Sequence, residues 1–291
     1  MFQVNRVFHL THLVEDHDAT LRWYDDVFGA QIYWEKSTGP GNVTISLLNI
    51  GDLMVSPMTV TEGGAPAPAK FRERFGEHLH SIAWHIEDAA DLVEHLSGQG
   101  YTLKDEFGRP LDGIDHEIWT AIKETPCLIE MCGLHMESLH KDDPRFDHPD
   151  WVSRWHDERP MGIERTACIT VTSVDREKGA RFFTDALHGK VLHEGETPWG
   201  TSSTFVQVGD FTTVEVAEAT DPGARAATDL AANGPMVHAM TFQVTDLDAA
   251  RAHLLSRGLR LEEPADGHLG IDPADAHGLV VRFTDRPIGA W

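Results

Sequence analysis

The stretch FHLTHLVEDHDATLRWYDDVFG, residues 8–29, decides the fold, because its pattern returns three more times along the chain. The pattern is an alternating apolar strand, an Asp, an amphipathic helix and a Gly. A second long copy is ACITVTSVDREKGARFFTDALHG at 167–189, and two shorter copies are HSIAWHIEDAADLVEHLSGQG at 80–100 and HAMTFQVTDLDAARAHLLSRG at 238–258. Repetition at a regular interval indicates that each copy is one supersecondary unit.

The spacing of the copies predicts two pairs of units. The Asp residues that follow the strands are Asp16, Asp88, Asp175 and Asp246, and the gaps between them are 72, 87 and 71 residues. Equal outer gaps around a longer middle gap indicate a linker between two pairs. We therefore predict a first domain at 1–140, a linker at 141–160 and a second domain at 161–291, each of ordinary domain size.

Short β-like runs follow the helix of each unit. In the first and third units the runs are Ala30–Glu35, Val43–Ile50, Leu53–Pro57, Lys190–His193, Ser203–Val208 and Thr212–Ala217. The dipeptides Gly51-Asp52 and Gly209-Asp210 separate the last two runs and predict hairpin turns. The unit is therefore one strand, one helix and three strands. Such a unit has too little core to stand alone, so the units must pair.

Composition excludes several classes of partner. The formal net charge of -23 is opposite to the basic footprint that nucleic-acid binding needs, and it would be repelled by anionic lipid surfaces. No apolar run is long enough to span a bilayer, and the N-terminus does not resemble a secretory signal. Three cysteines form no disulfide framework, which favours a reducing compartment. We expect a cytoplasmic protein that binds a small molecule and neither nucleic acid nor membrane.

The four units resemble the vicinal oxygen chelate superfamily, which includes glyoxalase I, bleomycin-resistance proteins, methylmalonyl-CoA epimerase and extradiol dioxygenases. The helix endings WYDDVFGAQ (Trp23–Gln31) and RFFTDALHGK (Arg181–Lys190) are similar to the aromatic endings that recur in that superfamily. The resemblance covers nearly the whole chain apart from the linker. It implies an α+β fold of four βαβββ units in two tandem glyoxalase-like domains, each a curled mixed half-barrel sheet with outer helices. Half-barrels of this kind complete themselves through partners or internal duplication, so homo-oligomer formation stays open.

The resemblance also implies where a metal would bind, on the first and last strands of paired units. Seven residues before each Asp, the first-strand positions hold His9, Ser81, Cys168 and Ala239. The last-strand positions hold Ser56, Glu130, a residue near Val214 and Glu215, and Arg282. The first domain thus keeps His9 and Glu130, whereas a cation at position 282 would repel a metal. We expect a metal-competent first domain and a metal-free second domain.

The third ligand of the first domain is left open between three residues. Ser81 is a poor metal ligand, whereas His80 precedes it and would need a β-bulge to turn inward. His85 shares the face of position 81, and it is the alternative ligand or a second group near the metal. With His80 the set is His9, His80 and Glu130, two imidazoles and one carboxylate, which suits Fe(II), with Mn(II) as an alternative.

Three functions follow from the resemblance. The first is an Fe(II) extradiol-type dioxygenase acting on a catechol-like molecule, with His116 and His85 as catalytic acid/base candidates. The second is a lyase, isomerase or epimerase using Zn(II), Ni(II) or Co(II), with Glu35 or Glu130 as the base. The third is a metal-free binding protein of the bleomycin-resistance kind.

Overall fold

The computed structural model of the chain describes residues 1–39, 42–60, 66–114, 117–121, 123–133, 145 and 151–291. The first two repeats contain two helices and eight strands. They are β1 (Gln3–Leu13), α1 (His17–Phe28), β2 (Gln31–Gly39), β3 (Val43–Ile50), β4 (Leu53–Val60), β5 (His78–Glu87), α3 (Ala89–Gly98), β6 (Leu103–Lys104), β7 (Ile118–Thr120) and β8 (Leu128–Gly133). Helix α2 (Pro66–Phe75) connects the two repeats.

The last two repeats have the same order of elements. They are β9 (Ile163–Thr172), α5 (Arg176–Arg181), β10 (Lys190–Thr197), β11 (Thr201–Val208), β12 (Thr212–Ala219), β13 (Val237–Val244), α7 (Leu247–Ser256), β14 (Leu261–Glu262), β15 (His268–Ile271) and β16 (Val280–Thr284). Helix α6 (Arg225–Asn233) connects them, and helix α4 (Trp151–Glu158) precedes the third repeat.

The strands form two open eight-stranded sheets with the same strand order. The first is β2-β3-β4-β1-β5-β8-β7-β6, and the second is β10-β11-β12-β9-β13-β16-β15-β14. In each repeat the first strand pairs in parallel with the last strand. The last strand pairs antiparallel with the strand that precedes it in the sequence. The sheets are mixed and carry helices, so the predicted α+β fold of four βαβββ units is confirmed.

An Asp caps the helix of every repeat, as the sequence predicts. The Asp16 carboxylate accepts a hydrogen bond from the backbone N–H of Ala19, and Asp88, Asp175 and Asp246 cap α3, α5 and α7 in the same way. Each cap satisfies a backbone donor that the first helical turn leaves without a partner. The repeated Asp therefore fixes where each helix begins.

The sequence pattern has a Gly after each helix, but the four helices do not all end in the same way. Gly29 adopts the left-handed conformation, with φ of 62°, directly after α1. After the third-repeat helix, His188 rather than Gly189 has the positive φ, at 56°. A π-helical turn, Phe182–Ala186, extends that helix and shifts its end by one residue. Gly189 is required there for close packing, because a Cβ would lie 2.7 Å from the carbonyl oxygen of Phe183.

The structure places a helix in each of two predicted connections. The sequence predicts a flexible loop over 61–70, but α2 begins at Pro66, a position where proline is favoured because a first helical N–H has no partner. The predicted linker 141–160 contains α4. Trp151 and Trp155 of this helix are buried, and the Trp151 indole donates a 2.8 Å hydrogen bond to the carbonyl of Gly51. This contact attaches α4 to the turn between β3 and β4.

The contacts within the chain divide it into two compact units, and each unit combines segments from both halves of the sequence. The central unit consists of Met1–Phe8, Ser81–Glu137 and Cys168–His238. The terminal unit consists of His9–His80, Ser138–Ala167 and Ala239–Trp291. The domain boundaries 1–140 and 161–291 stay a prediction. Among the described helices, none is long and apolar enough to cross a membrane.

Rings from two repeats pack together within each unit. In the terminal unit, Phe28 lies 5.9 Å from Phe242 and 6.3 Å from Phe283, measured between ring centroids. In the central unit, Phe2 stacks on His188 at 4.7 Å and contacts His95 at 5.0 Å. Each unit therefore has its own core.

His12 is part of the core of the terminal unit and has a structural role. Its Nε2 lies 2.9 Å from the carbonyl oxygen of His277, and its Nδ1 lies 3.0 Å from the Tyr24 hydroxyl. Burial lowers the pKa of His12 to about 3, so its ring is neutral near pH 7. A neutral ring that donates to a carbonyl from Nε2 must accept the Tyr24 proton at Nδ1.

Candidate functional site

Strand register shows that the four last-strand positions are equivalent. In every repeat, the last-strand residue is the direct partner of the residue two places after the first-strand position. The four pairs are Thr11 with Ser56, Ala83 with Glu130, Thr170 with Glu215, and Thr241 with Arg282. Direct partners in a sheet, and residues two apart on one strand, share a face. The candidate ligand positions of each repeat therefore lie on one face of its sheet. In the third repeat, the last-strand position that was predicted near Val214 and Glu215 is Glu215.

Glu130 is a buried carboxylate on a paired strand of the central unit. It lies between Ala83 of β5 and Trp119 of β7, and its side chain is 3% exposed. The neighbouring residues Ile129 and Met131 are fully buried and apolar. A carboxylate on such a strand is unfavourable unless it is hydrogen-bonded or bound to a cation. One hydrogen bond comes from the Cys132 thiol, whose Sγ lies 3.4 Å from Oε1 of Glu130.

A second carboxylate, Glu117, belongs to the same site and was not predicted from the sequence. Burial and the negative charge of Glu130 raise the pKa of Glu117 to about 8, and the Trp119 indole offsets part of the rise. The same two carboxylates contribute to raising the pKa of Cys132, although its burial contributes most. The sequence could have pointed to Glu117 through its spacing. Glu117 precedes the strand residue Trp119 by two places, so the two side chains lie on the same face of the sheet. Glu117, Glu130 and Cys132 are therefore close enough to influence one another, with Glu130 and Cys132 buried and Glu117 partly exposed.

His85 and Ser81 belong to this unit as well. Both are fully buried on β5, and His85 is the direct strand partner of Cys132. The His85 ring packs against Phe8 at 4.6 Å between centroids. The register places His85 beside the Glu130 strand, and Ser81 lies on the same face as Ala83 and His85.

His80 belongs to the terminal unit and contacts α2. Its ring lies 4.7 Å from the Phe71 ring in an edge-to-face arrangement. Strand β5 is continuous, and its pairing with β8 runs from Ser81 to Ile86 without a register shift. This stretch therefore contains no bulge of the kind that would turn a neighbouring residue to the other face. The ligand role of His80 stays a prediction.

His9 is buried, 8% exposed, on β1 of the terminal unit, where it shares a face with Thr11. Its role as a ligand also stays a prediction. His116, the predicted catalytic acid/base, lies outside the described residues, and so does the side chain of Glu35.

Glu215 is the corresponding buried carboxylate of the second sheet, and hydroxyl groups surround it. Its Oε2 accepts a 2.5 Å hydrogen bond from Thr170, and its Oε1 accepts hydrogen bonds of 2.7 Å from Ser203 and 3.5 Å from Thr201. The Cys168 thiol lies 3.8 Å from Oε2. Short hydrogen bonds from hydroxyls satisfy a carboxylate without a metal.

The donors of the first sheet suit a hard divalent cation. Glu117 and Glu130 supply two carboxylates on one face, and a cation between like charges would lower their repulsion. Across the described part of the chain, no group of three or more His, Cys, Asp or Glu side chains is arranged to hold a metal ion. Glu117 and Glu130 are two carboxylates that lie close enough for the charge of one to raise the pKa of the other.

Comparisons with known proteins support the superfamily. Residues 6–114 match the family model described as Glyoxalase/Bleomycin resistance protein/Dioxygenase superfamily. No curated protein matches the chain in sequence. Over its whole length the chain is similar to a mutant of 4-hydroxymandelate synthase from Streptomyces coelicolor, with 13% identity, a TM-score of 0.68 and 96% of that chain covered. At this identity the likeness shows the fold.

Part of the chain is also similar to methylmalonyl-CoA epimerases. The enzyme from Mycobacterium tuberculosis is 21% identical over 42% of this chain and 87% of its own, with a TM-score of 0.39. The enzyme from Streptomyces coelicolor is 20% identical over 42% of this chain and 96% of its own, also with a TM-score of 0.39. The resemblance to the vicinal oxygen chelate superfamily that the repeats predict is thus matched in sequence over residues 6–114, and the fold is matched over the whole chain.

Proposed function

We propose that this chain is a metal-dependent enzyme of the vicinal oxygen chelate superfamily, acting on a small molecule with two neighbouring oxygen atoms. The observation that carries the proposal is the buried carboxylate of Glu130, paired on an apolar strand and accompanied by Glu117 on the same face. Burying two acidic groups together is unfavourable unless a proton or a cation is held between them.

The finer proposal is an Fe(II) extradiol-type dioxygenase with a catechol-like substrate, and with Mn(II) as the alternative metal. Glu130 is the ligand that the described contacts support. His9 and His80 are the further ligands predicted from the sequence, and His85 is the acid/base candidate nearest to the Glu130 strand. When bound, the metal would act as a Lewis acid and a template for both substrate oxygens.

The residues of the site contribute proton transfer and exclusion of water. Glu117 carries a proton near pH 7, because its pKa is about 8, and can donate it to a substrate oxygen. Trp119 and Ala83 flank Glu130 in the sheet and keep its surroundings apolar. A dry site strengthens every charge interaction within it.

Metal analysis of the purified protein tests the proposal. We expect about one metal ion per chain in the wild type, and loss of that metal in Glu130→Ala and His9→Ala. Asp246→Asn, which changes a helix cap instead, is the control and should keep its metal. Stoichiometric metal in both site variants would show that the assigned ligands are wrong.

A second candidate function is an isomerase or epimerase, and the Glu117–Glu130 pair favours it. Two neighbouring carboxylates that share a proton can act as acid and base in one active site. A dioxygenase consumes O2 with a phenolic substrate, whereas an isomerase or epimerase consumes none and exchanges a substrate C–H for deuterium in D2O. Ligand binding that persists after complete chelation, without turnover, would instead support a metal-free binding protein.

A further inference from the structure

Cys132 lies beside Glu130 on the same strand and touches its carboxylate. The two residues are two places apart on β8, so their side chains share a face. The Cys132 thiol donates to Oε1 of Glu130 across 3.4 Å, within the 4.0 Å expected of a sulfur hydrogen bond. Both residues are fixed in the sheet, since Glu130 pairs with Ala83 and Cys132 pairs with His85.

The position of the thiol suits donation to this carboxylate. Cys132 is fully buried, and its Sγ lies 3.4 Å from Oε1 of Glu130. A thiol can donate one hydrogen bond, and a carboxylate is a strong acceptor.

We propose that Cys132 is a positioning residue for Glu130, holding one carboxylate oxygen so that the side chain is oriented before a metal binds. This inference rests on the proposed role of Glu130 as a metal ligand. An unrestrained Glu side chain loses rotamer freedom when it binds a cation, and a donor that already orients it reduces that loss.

A thiol is suited to this task because it is a weak donor. Glu215 of the second sheet receives hydroxyl hydrogen bonds of 2.5 and 2.7 Å, which satisfy its charge. The thiol contact of Glu130 is longer, at 3.4 Å, and a thiol is a weaker donor than a hydroxyl, so it offsets less of the charge of the carboxylate that it orients.

Cobalt(II) titration of the metal-free protein tests the proposal, with dissociation constants and visible d–d spectra as readouts. We expect Cys132→Ala to bind Co(II) about tenfold more weakly, at the lower end of the range for residues that orient ligands. Its d–d band should shift, because the carboxylate orientation changes. Cys132→Ser keeps a donor, so its dissociation constant should stay within about threefold of the wild type.

The matched control is Cys127→Ala, which removes another fully buried thiol of the same unit. Cys127→Ala should bind Co(II) like the wild type, with an unchanged spectrum. Cys132→Val, which fills the space without donating, replaces the Ala variant if that variant does not fold.

The outcomes separate this inference from the proposed function. A wild-type protein that binds neither Co(II), Fe(II) nor Mn(II) overturns the proposed function and this inference with it. Wild-type binding that is matched by Cys132→Ala, in affinity and spectrum, overturns only the positioning role. Equal weakening in Cys132→Ala and Cys127→Ala also overturns it, because the effect would then come from the core in general.

Discussion

Glu130 and Glu215 occupy equivalent strand positions, yet their surroundings differ. Each is a buried carboxylate in register with the residue two places after the first-strand position of its repeat. Glu215 accepts hydrogen bonds from Thr170, Ser203 and Thr201, whereas Glu130 receives a thiol contact and lies near a second acid. One fold thus holds a carboxylate satisfied by hydroxyls in one sheet and a carboxylate pair suited to a cation in the other.

The largest expected effect is on metal affinity. Glu130→Gln should weaken metal binding by about a hundredfold or more, because the amide removes a negative charge from the site. Glu215→Gln should leave the affinity unchanged, because hydroxyls satisfy that carboxylate. Calorimetric titration of both metal-free variants measures the difference, and equal losses would remove the distinction between the two carboxylates.

The free energy of unfolding should be affected more by a change at Glu215 than by a change at Glu130, the opposite of the effect on metal affinity. Glu215→Ala leaves the Thr170 and Ser203 hydroxyls without their acceptor, so the free energy of unfolding should fall by about 3 kcal/mol. Glu130→Ala removes a weak thiol contact and relieves the repulsion with Glu117, so its loss should be smaller. Urea unfolding of the metal-free proteins provides the comparison. A larger loss in Glu130→Ala would contradict it.

Glu117 should make the stability of the metal-free protein depend on pH. Its pKa is raised from 4.5 to about 8, so the unfolded chain releases the proton first. Stability is therefore full below about pH 4.5 and falls as the pH rises toward about 8, by an amount on the order of 5 kcal/mol.

Glu117→Gln should remove that slope. Thermal unfolding at several pH values between 4.5 and 8 measures it for both proteins. An identical pH dependence in the wild type and the variant would show that Glu117 is not buried beside Glu130 in solution.

The smallest expected effect comes from placing a hydroxyl beside Glu130, at the position where the second sheet has one beside Glu215. Ala83 in the first sheet corresponds to Thr170 in the second, since each is the direct partner of the carboxylate residue. Ala83→Ser offers Glu130 a hydroxyl donor, which competes with a cation for the carboxylate. Metal affinity should fall by about threefold. Ile82→Val, on the opposite face, is the control, and an unchanged affinity in Ala83→Ser would contradict the hydroxyl argument.

Helix starts were predictable because they depend on local chemistry. Each Asp cap needs only a backbone donor three residues later, so the pattern around Asp16 or Asp246 is readable without the fold. The first-strand and last-strand positions came instead from the resemblance to the superfamily, and the strand register pairs them consistently in all four repeats. Helix α2 was missed, because its Gly- and Pro-rich approach resembles a loop.

The sequence by itself determined the fourfold repeat and the start of each helix, because periodicity and capping are local properties. Only the tertiary structure brought Glu117 to Glu130 and surrounded Glu215 with hydroxyls. Residues that are distant in sequence meet through strand register, and the burial that perturbs their pKa values exists only after the sheets have packed.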